Sequence, residues 1–429
     1  MAAKQICVIG AGYVGLPTAL LLARSGHRVM VAERDPQRIA CLEQGVSPIH
    51  EPGLQELLDQ EIASHRLHFS SNTIKAIAGC DFVFLCVETP PLPDGSADLN
   101  PLINAAREIG PALKQGCILV KKSTAPIGTT ALLEQVLDRN DVSVVSNPEF
   151  LREGHAIYDL DHPDRIVIGA RNREAGEAVV SLTTHPDVPI FMTTPESAET
   201  IKYASNAFLA TKVSFMNDLA FFCESAGADF ATVAAAMGAD PRIGHSMMDA
   251  GPGWGGSCFP KDTRALLHVG ATFQQPLQVV RAAVDANTHH IERIIELVAS
   301  ETGPLHDAVI GILGLTFKAG TNDRRDSPAV FIAHALQARG ATVRAYDPTV
   351  MTSEPDIDIH NLDIVATAEV AAMGADALVI LTEWPQFVTA DYSAMALSMR
   401  SPTIVDARNL LDPDEMRARG FRYRGLGGM

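Results

Sequence analysis

The chain begins with a short apolar, mostly β-branched run, Ile6-Cys7-Val8-Ile9, followed by Gly10-Ala11-Gly12-Tyr13-Val14-Gly15 and then by Ala19-Leu20-Leu21-Leu22-Ala23. A short apolar run closed by glycines predicts a buried strand, and the longer run behind the glycines predicts a helix. After Gly26 the stretch Val29-Met30-Val31-Ala32 predicts a second strand, ending on Glu33. Ile6 to Ala23 is uncharged and has the length of a membrane span. Gly10, Gly12, Gly15 and Pro17 interrupt it, with neither a basic leader nor a small-residue cleavage site beside it, so it divides into strand, turn and helix.

The opening pattern returns near the other end. Cys80 to Pro90 and Ala375 to Pro385 carry Asp, Glu and Pro at matching offsets, and Gly26 to Glu33 reappears as Gly340 to Asp347. A second α/β unit is expected there, its first strand at Val309 to Leu313, but Gly314 to Lys318 lacks the full glycine pattern, so it should hold something other than a dinucleotide. Between the units, Ser197 to Ser300 places Ala, Leu, Met and Val at helical spacings, broken at Gly227, Gly238 and Gly251 to Gly256. The run Ala198 to Ser225 is too apolar all round for a solvated helix and should be sandwiched between domains and buried in a dimer. The expected architecture is α/β: two Rossmann-like doubly wound parallel sheets joined by a central helical domain with a long connecting helix. Its divisions fall at 1–196, 197–303 and 304–429.

Composition sharpens this picture. The 429 residues exceed one core, which stops growing near roughly 250 residues. A net charge of -17 repels nucleic acid and anionic membranes, so neither is expected as a partner and any anionic ligand needs a local device. The seven cysteines are scattered without a C-x-x-C pair, which argues for free thiols in the cytoplasm. The histidines show no ligand spacing, and no metal is expected.

Strand, G-x-G-x-x-G, helix, strand and an acidic residue about 20 positions on form the complete dinucleotide-binding context, with the helix N-terminus facing the phosphates. Glu33 should accept from the adenine ribose and favour NAD over NADP, while Arg34 beside it either accommodates a 2'-phosphate or is a solvated loop residue. Gly253 to Asp262 is a glycine turn that delivers Cys258 just ahead of a helix starting near Pro260, where the helix end and Lys261 favour thiolate; the other six cysteines read as buried hydrophobes. Asn147 and Pro148 suit a helix start, which would put Glu149 and Glu153 on one helical face, either as a solvated pair or as site residues. Lys202 and Asn206, also four apart, either face solvent or polarise an oxygen. Lys121-Lys122, and Gly314 to Lys318 with Arg324 and Arg325, are candidate anion sites.

Gly10 to Leu16, Lys122 to Thr124, Asn147 to Glu153, Lys202 with Asn206, Arg242 to Gly244, Gly255 to Asp262, Gly314 to Lys318, Arg324 to Pro328 and Asp406 to Asn409 together resemble the UDP-glucose/GDP-mannose dehydrogenase family along the whole chain. The resemblance implies NAD-dependent, four-electron oxidation of a UDP-sugar primary alcohol to the uronate through a thiohemiacetal and a thioester on Cys258. It further implies that Lys202 and Asn206 stabilise oxygen charge, that Glu149 is the base for hydrolysis, and that Thr124 and Asp262 order the water. Gly10, Gly12, Tyr13, Val14, Gly15, Glu33, Thr89, Thr124, Lys261 and Arg325 would hold the cofactor. Glu149, Phe150, Leu151, Glu153, Lys202, Asn206, Gly255, Lys318 and Arg408 would contact the sugar nucleotide, with Arg242 reaching in from the other subunit of a homodimer. Asp406 to Pro413 sides with members that act on UDP-glucose, whereas Pro17 resembles those acting on UDP-N-acetylhexosamines; GDP-mannose is a further alternative. Glu88 stands where the family has glycine, and Asn322 where it has aspartate. A two-electron hydroxy-acid dehydrogenase would share the fold but has no use for Cys258.

Overall fold

The computed structural model describes residues 2–182, 187–350 and 358–428. The chain forms two compact units, Met1–Ser205 with Arg264–Gln274, and Asn206–Thr263 with Gln275–Met429. The first is built on a sheet of β1 (Gln5–Ile9), β2 (Arg28–Ala32), β3 (Leu67–Ser70), β4 (Phe82–Leu85), β5 (Ile118–Lys121), β6 (Ser143–Ser146), β7 (Ile166–Ala170) and β8 (Ile190–Thr193). Its strand order is β3-β2-β1-β4-β5-β6-β7-β8, parallel except where β6 meets β7. The second unit contains β9 (Val309–Leu313), β10 (Thr342–Tyr346), β11 (Asp363–Ile364), β12 (Ala377–Ile380), β13 (Thr403–Asp406) and β14 (Arg422–Gly425), in the order β11-β10-β9-β12-β13-β14.

The repeat in the sequence therefore has a structural meaning: in both sheets the first strand lies between the second and the fourth. That is the switch point at which open α/β sheets bind ligands, beyond the carboxyl ends of the strands. The aspartates at matching offsets do the same work, Asp81 accepting the Gln5 amide at 3.1 Å and Asp376 the Val309 amide at 2.8 Å. The side chains alternate as a sheet buried on both faces requires. Ile6 and Val8 join one core with Leu20 and Val31, while Cys7 and Ile9 join another with Leu102, Val83 and Leu119.

The middle of the chain is helical, with a 32-residue helix Pro195–Ala226 followed by Phe230–Gly238, Phe259–Thr272 and Gln278–Thr302. The long helix carries one apolar stripe that this chain leaves uncovered. Phe208, Phe215 and Phe222, seven residues apart, are 71%, 55% and 64% exposed within this single chain. Five of its polar residues, Glu199, Lys202, Asn206, Ser214 and Asn217, are buried instead. Glu199 is 1% exposed; its carboxylate takes the ammonium of Lys121 at 2.9 Å, the amides of Gly128 and Thr130, and the Thr130 hydroxyl. Lys121 is therefore not part of an anion site: it is spent on Glu199.

Two further expectations are corrected. Among the cysteines, Cys7, Cys80, Cys117 and Cys223 are buried, but Cys41 and Cys86 are only partly so. Asn147 to Gly154 forms no helix; helix begins only at Ala156. Side chains have taken over its backbone, with the Leu151 amide bonded to Glu149 and the Arg152 amide to Asp159. Gly154, at φ +79°, then turns the chain.

Removing one partner of a buried ion pair strands the other charge and typically costs about 3–5 kcal/mol. Glu199→Ala is therefore expected to lower unfolding free energy by about that amount in chemical denaturation, and a loss below about 1 kcal/mol would contradict the ion-pair account.

Candidate active site

In the first unit the glycine turn sits at the carboxyl end of β1. A side chain on Gly10 would meet the Cys86 carbonyl at 2.6 Å and one on Gly15 the Gly10 carbonyl at 1.9 Å, whereas one on Gly12 would point into open space. Two glycines close the turn and the third leaves open space where a pyrophosphate approaches, which fits NAD. Tyr13 and Val14 are partly exposed beside it. Glu33, 8% exposed, accepts the amides of Ala11, Arg34 and Asp35 at 2.8, 2.7 and 2.9 Å. A carboxylate has roughly four acceptor positions, so one remains for a ribose hydroxyl. Thr89, in the turn after β4, donates to the Thr124 carbonyl at 2.6 Å and ties together two segments at the switch point.

The second unit closes the equivalent place. Gly314, like Gly10, has no room for a side chain, with Thr382 at 2.3 Å, but the fully buried Thr316 stands at the offset of the open Gly12, and its carbonyl accepts the Thr382 hydroxyl. Asp347, the counterpart of Glu33, is 0% exposed and accepts from the amides of Leu315 and Thr316 and from the Trp384 indole. Its oxygens also accept the hydroxyls of Thr316 and Thr349, so no acceptor position is left for a ribose. The loss of the glycine pattern goes with a filled turn.

Also in the first unit, Glu149 and Lys202 form a buried pair at 2.9 Å, with side chains 6% and 5% exposed. Burial pushes the Glu149 carboxyl up, but the charge and hydrogen bond of Lys202, the Leu151 amide and the charge of Lys122 outweigh it, and it is held below the ordinary carboxylate value. Lys122 is itself buried, which lowers its pKa, and its ammonium donates to Asn147 at 3.2 Å. Phe150 is covered by the Arg165 guanidinium, 3.9 Å above its ring.

In the second unit, Asp262 is 1% exposed and accepts from Asn206 Nδ2 at 2.6 Å and Lys261 Nζ at 2.5 Å. Cys258 directly precedes the helix Phe259–Thr272, and its carbonyl accepts the first helical amide, that of Asp262. Its Sγ lies 3.6 Å from the Ser257 hydroxyl. A side chain on Gly255 would strike the Asp326 carbonyl at 2.1 Å, so the 314–328 segment presses directly on the cysteine loop. Arg325 is bound to Asp323 in that segment, and Lys318 is partly buried. Arg408 donates to the carbonyls of Leu381 and Phe317 and lines a cavity of about 320 Å³ with Phe230, Met248, Asp249 and Asn409. Arg242 is 88% exposed at its side chain and is paired with Asp240.

Sequence reasoning missed the side chains that hold the cysteine loop. Asn287 accepts the Trp254 amide at 2.9 Å and donates to the Trp254 carbonyl at 3.0 Å, while Ser214 accepts the Trp254 indole. Asn217 accepts the Gly251 amide and His290 Nε2 donates to the Gly251 carbonyl at 2.6 Å. Asn217 and Asn287 on apolar helices were the available signal, because a buried amide needs partners.

Burial lowers the His290 pKa from 6.5 to about 4, with the Gly251 bond opposing and Arg293, Asp218 and the Phe221 ring nearby. The folded form thus binds a proton less readily than the unfolded chain, so stability falls as pH drops from about 6.5 to about 4. At about 1.4 kcal/mol per pH unit the loss is about 3 kcal/mol. Denaturation midpoints followed against pH should show this slope, and His290→Gln should flatten it; an unchanged slope in the variant contradicts the assignment.

Comparison with known proteins agrees with these features. Three domain models match in order: the UDP-glucose/GDP-mannose dehydrogenase family NAD binding domain over 4–185, its central domain over 196–289 and its UDP binding domain over 311–413. A UDP-glucose 6-dehydrogenase of Rhizobium meliloti is 43% identical over 434 residues, covering 99% of each chain. A UDP-glucose dehydrogenase from Pyrobaculum islandicum superposes with a TM-score of 0.92 at 36% identity, covering 100% of this chain and 98% of that one. A UDP-D-ManNAc dehydrogenase from Pyrococcus horikoshii gives 0.87 at 28% identity, covering 99% of each. The open first glycine turn, the filled second one and the cysteine at a helix start all lie within end-to-end matches, and the chain belongs to the UDP-glucose/GDP-mannose dehydrogenase family.

Proposed function

We propose that this chain oxidises the primary alcohol of UDP-glucose to the carboxylate, giving UDP-glucuronate, in two successive two-electron steps. The placement of Cys258 carries the reading: a thiol at the start of a helix, on a loop whose backbone is held at Gly251 and Trp254. Hydroxy-acid oxidation needs no such group. NAD, bound at the Gly10 to Gly15 turn, is the acceptor for both hydrides.

The chain's own residues supply the rest. Cys258 Sγ adds to the aldehyde carbon left by the first hydride, and loss of the second hydride from the thiohemiacetal leaves a thioester. Water then adds, the C–S bond breaks, and the acid departs with the thiol restored. Lys202 and Asn206, one turn apart on a single helix, offer N–H donors to the oxygen as it gains charge, each such donor typically worth about 100- to 1000-fold. Glu149, kept ionised by Lys202, takes the proton of the attacking water, which Thr124 and Asp262 order. Phe150, Leu151, Glu153, Gly255, Lys318 and Arg408 hold the sugar nucleotide, and Tyr13, Val14, Glu33, Thr89, Lys261 and Arg325 hold the cofactor.

The same reading takes 1–196, 197–303 and 304–429 as the cofactor, helical and UDP-sugar domains. The Phe208, Phe215 and Phe222 stripe is the seam of a homodimer, since three exposed phenylalanines on one helical face are apolar area that a second copy would cover. Arg242, extended into solvent, reaches the site of that copy. The seven cysteines are free, in keeping with a reducing cytoplasm, and no described helix is long and apolar enough to cross a membrane.

The enzyme is expected to form two NADH per UDP-glucose, and to prefer it to UDP-N-acetylhexosamines and GDP-mannose. Cys258→Ala should abolish uronate formation while retaining UDP-glucose affinity by calorimetry; undiminished acid production would rule out the thioester route. Phe215→Glu should shift the mass seen in light scattering from dimer to monomer, and an unchanged mass would remove the helix from the interface.

A further inference from the structure

Two arginines follow the end of β2. Arg34 comes directly after Glu33, and Arg38 lies in the first turn of the helix Pro36–Glu43, whose cap Asp35 accepts the Gln37 and Arg38 amides. In a dinucleotide fold an arginine in this neighbourhood is what accommodates a 2'-phosphate on the adenine ribose. The sequence alone leaves open whether Arg34 does so.

Here both guanidiniums face carboxylates from other parts of the first unit. Glu108, on the helix Asn100–Ile109, is bonded to Arg34. Glu88, in the turn after β4, stands 4.0 Å from Arg38 with its side chain 75% exposed. Glu88 is the residue that departs from the family's glycine, and its side chain stands largely in solvent rather than in the core. Glu33 meanwhile is occupied by three amides. The ribose end of the cofactor site thus carries four carboxylates, Glu33, Asp35, Glu88 and Glu108, against two guanidiniums.

We propose that Glu88 and Glu108 are specificity-determining residues that neutralise Arg38 and Arg34 and so exclude a 2'-phosphate. A phosphate monoester would have to displace both carboxylates and sit beside Glu33 and Asp35. Discrimination therefore rests on repulsion added to an otherwise suitable pair of cations, a common way to reject a close analogue. This goes beyond the use of NAD, whose adenine ribose calls on Glu33 and not on Glu88 or Glu108. It explains an acidic side chain at position 88 that the dinucleotide fold does not require.

The test uses two fragments that differ only in the 2'-phosphate, AMP and adenosine 2',5'-bisphosphate, titrated calorimetrically into the full-length protein at one fixed ionic strength. Glu88→Gln with Glu108→Gln should tighten the bisphosphate about tenfold and change AMP by less than twofold. Adding Arg34→Ala and Arg38→Ala to that variant should return the bisphosphate to its original affinity. A bisphosphate gain below twofold, or an equal gain for AMP, overturns the proposal. Failure of the unmodified protein to bind AMP would displace the cofactor site from the Gly10 turn and overturn it as well, by a result distinct from a failed discrimination. Initial rates with NAD and NADP provide the second reading: the ratio should move toward NADP in the double variant.

Discussion

The ion pair between Glu149 and Lys202 places two charges where solvent hardly reaches, at 2.9 Å. Desolvating both is expensive, and the pair survives only if its geometry is fixed from several sides. The Leu151 amide and Lys122 do this for Glu149, and the long helix Pro195–Ala226 does it for Lys202. The same helix repeats the device along its length. Glu199 meets Lys121, Asn206 meets Asp262, Ser214 meets Trp254 and Asn217 meets Gly251. These polar residues recur at spacings that keep them near one face, each spent on a buried partner. A slip of one residue would strand several of them at once, so the helix register is strongly specified.

The two α/β units show how one topology serves two purposes. Both place the first strand between the second and fourth and end the second strand on an acidic residue. In the first unit Gly12 faces open space and Glu33 keeps an acceptor position; in the second, Thr382 fills the turn and Asp347 is walled in by amides and an indole. A packed threonine and a buried carboxylate close the dinucleotide turn of the second unit, with the strand order unchanged.

The net charge of -17 shapes how anions are held. Cations near the candidate site are paired with acids, as Arg325 is with Asp323 and Lys261 with Asp262. Such pairing fixes each side chain's direction and limits nonspecific attraction. Binding then depends on backbone amides at a glycine turn and on a few placed side chains rather than on a general positive field.

Much of this was legible in the sequence. The glycine spacing, the repeated Asp, Glu and Pro offsets and the helical middle follow from local rules, because strand, turn and helix are each decided by neighbouring residues. The family resemblance located Cys258 and the residues around it for the same reason, since its motifs are contiguous. The helix expected over Asn147 to Glu153 failed because carboxylates take the backbone amides of this stretch, Glu149 that of Leu151, Asp159 that of Arg152 and the distant Glu51 those of Gly154 and Ala156. Lys121 looked like an anion ligand until Glu199 was found against it. Asn217, Asn287 and His290 had no motif to mark them, and their work appears only when their helices pack against the cysteine loop. Sequence by itself determined the elements, their order and the chemistry available. Tertiary structure decided which charges are buried together and which carboxylates are already occupied, because desolvation and hydrogen-bond satisfaction depend on neighbours that chain order does not reveal.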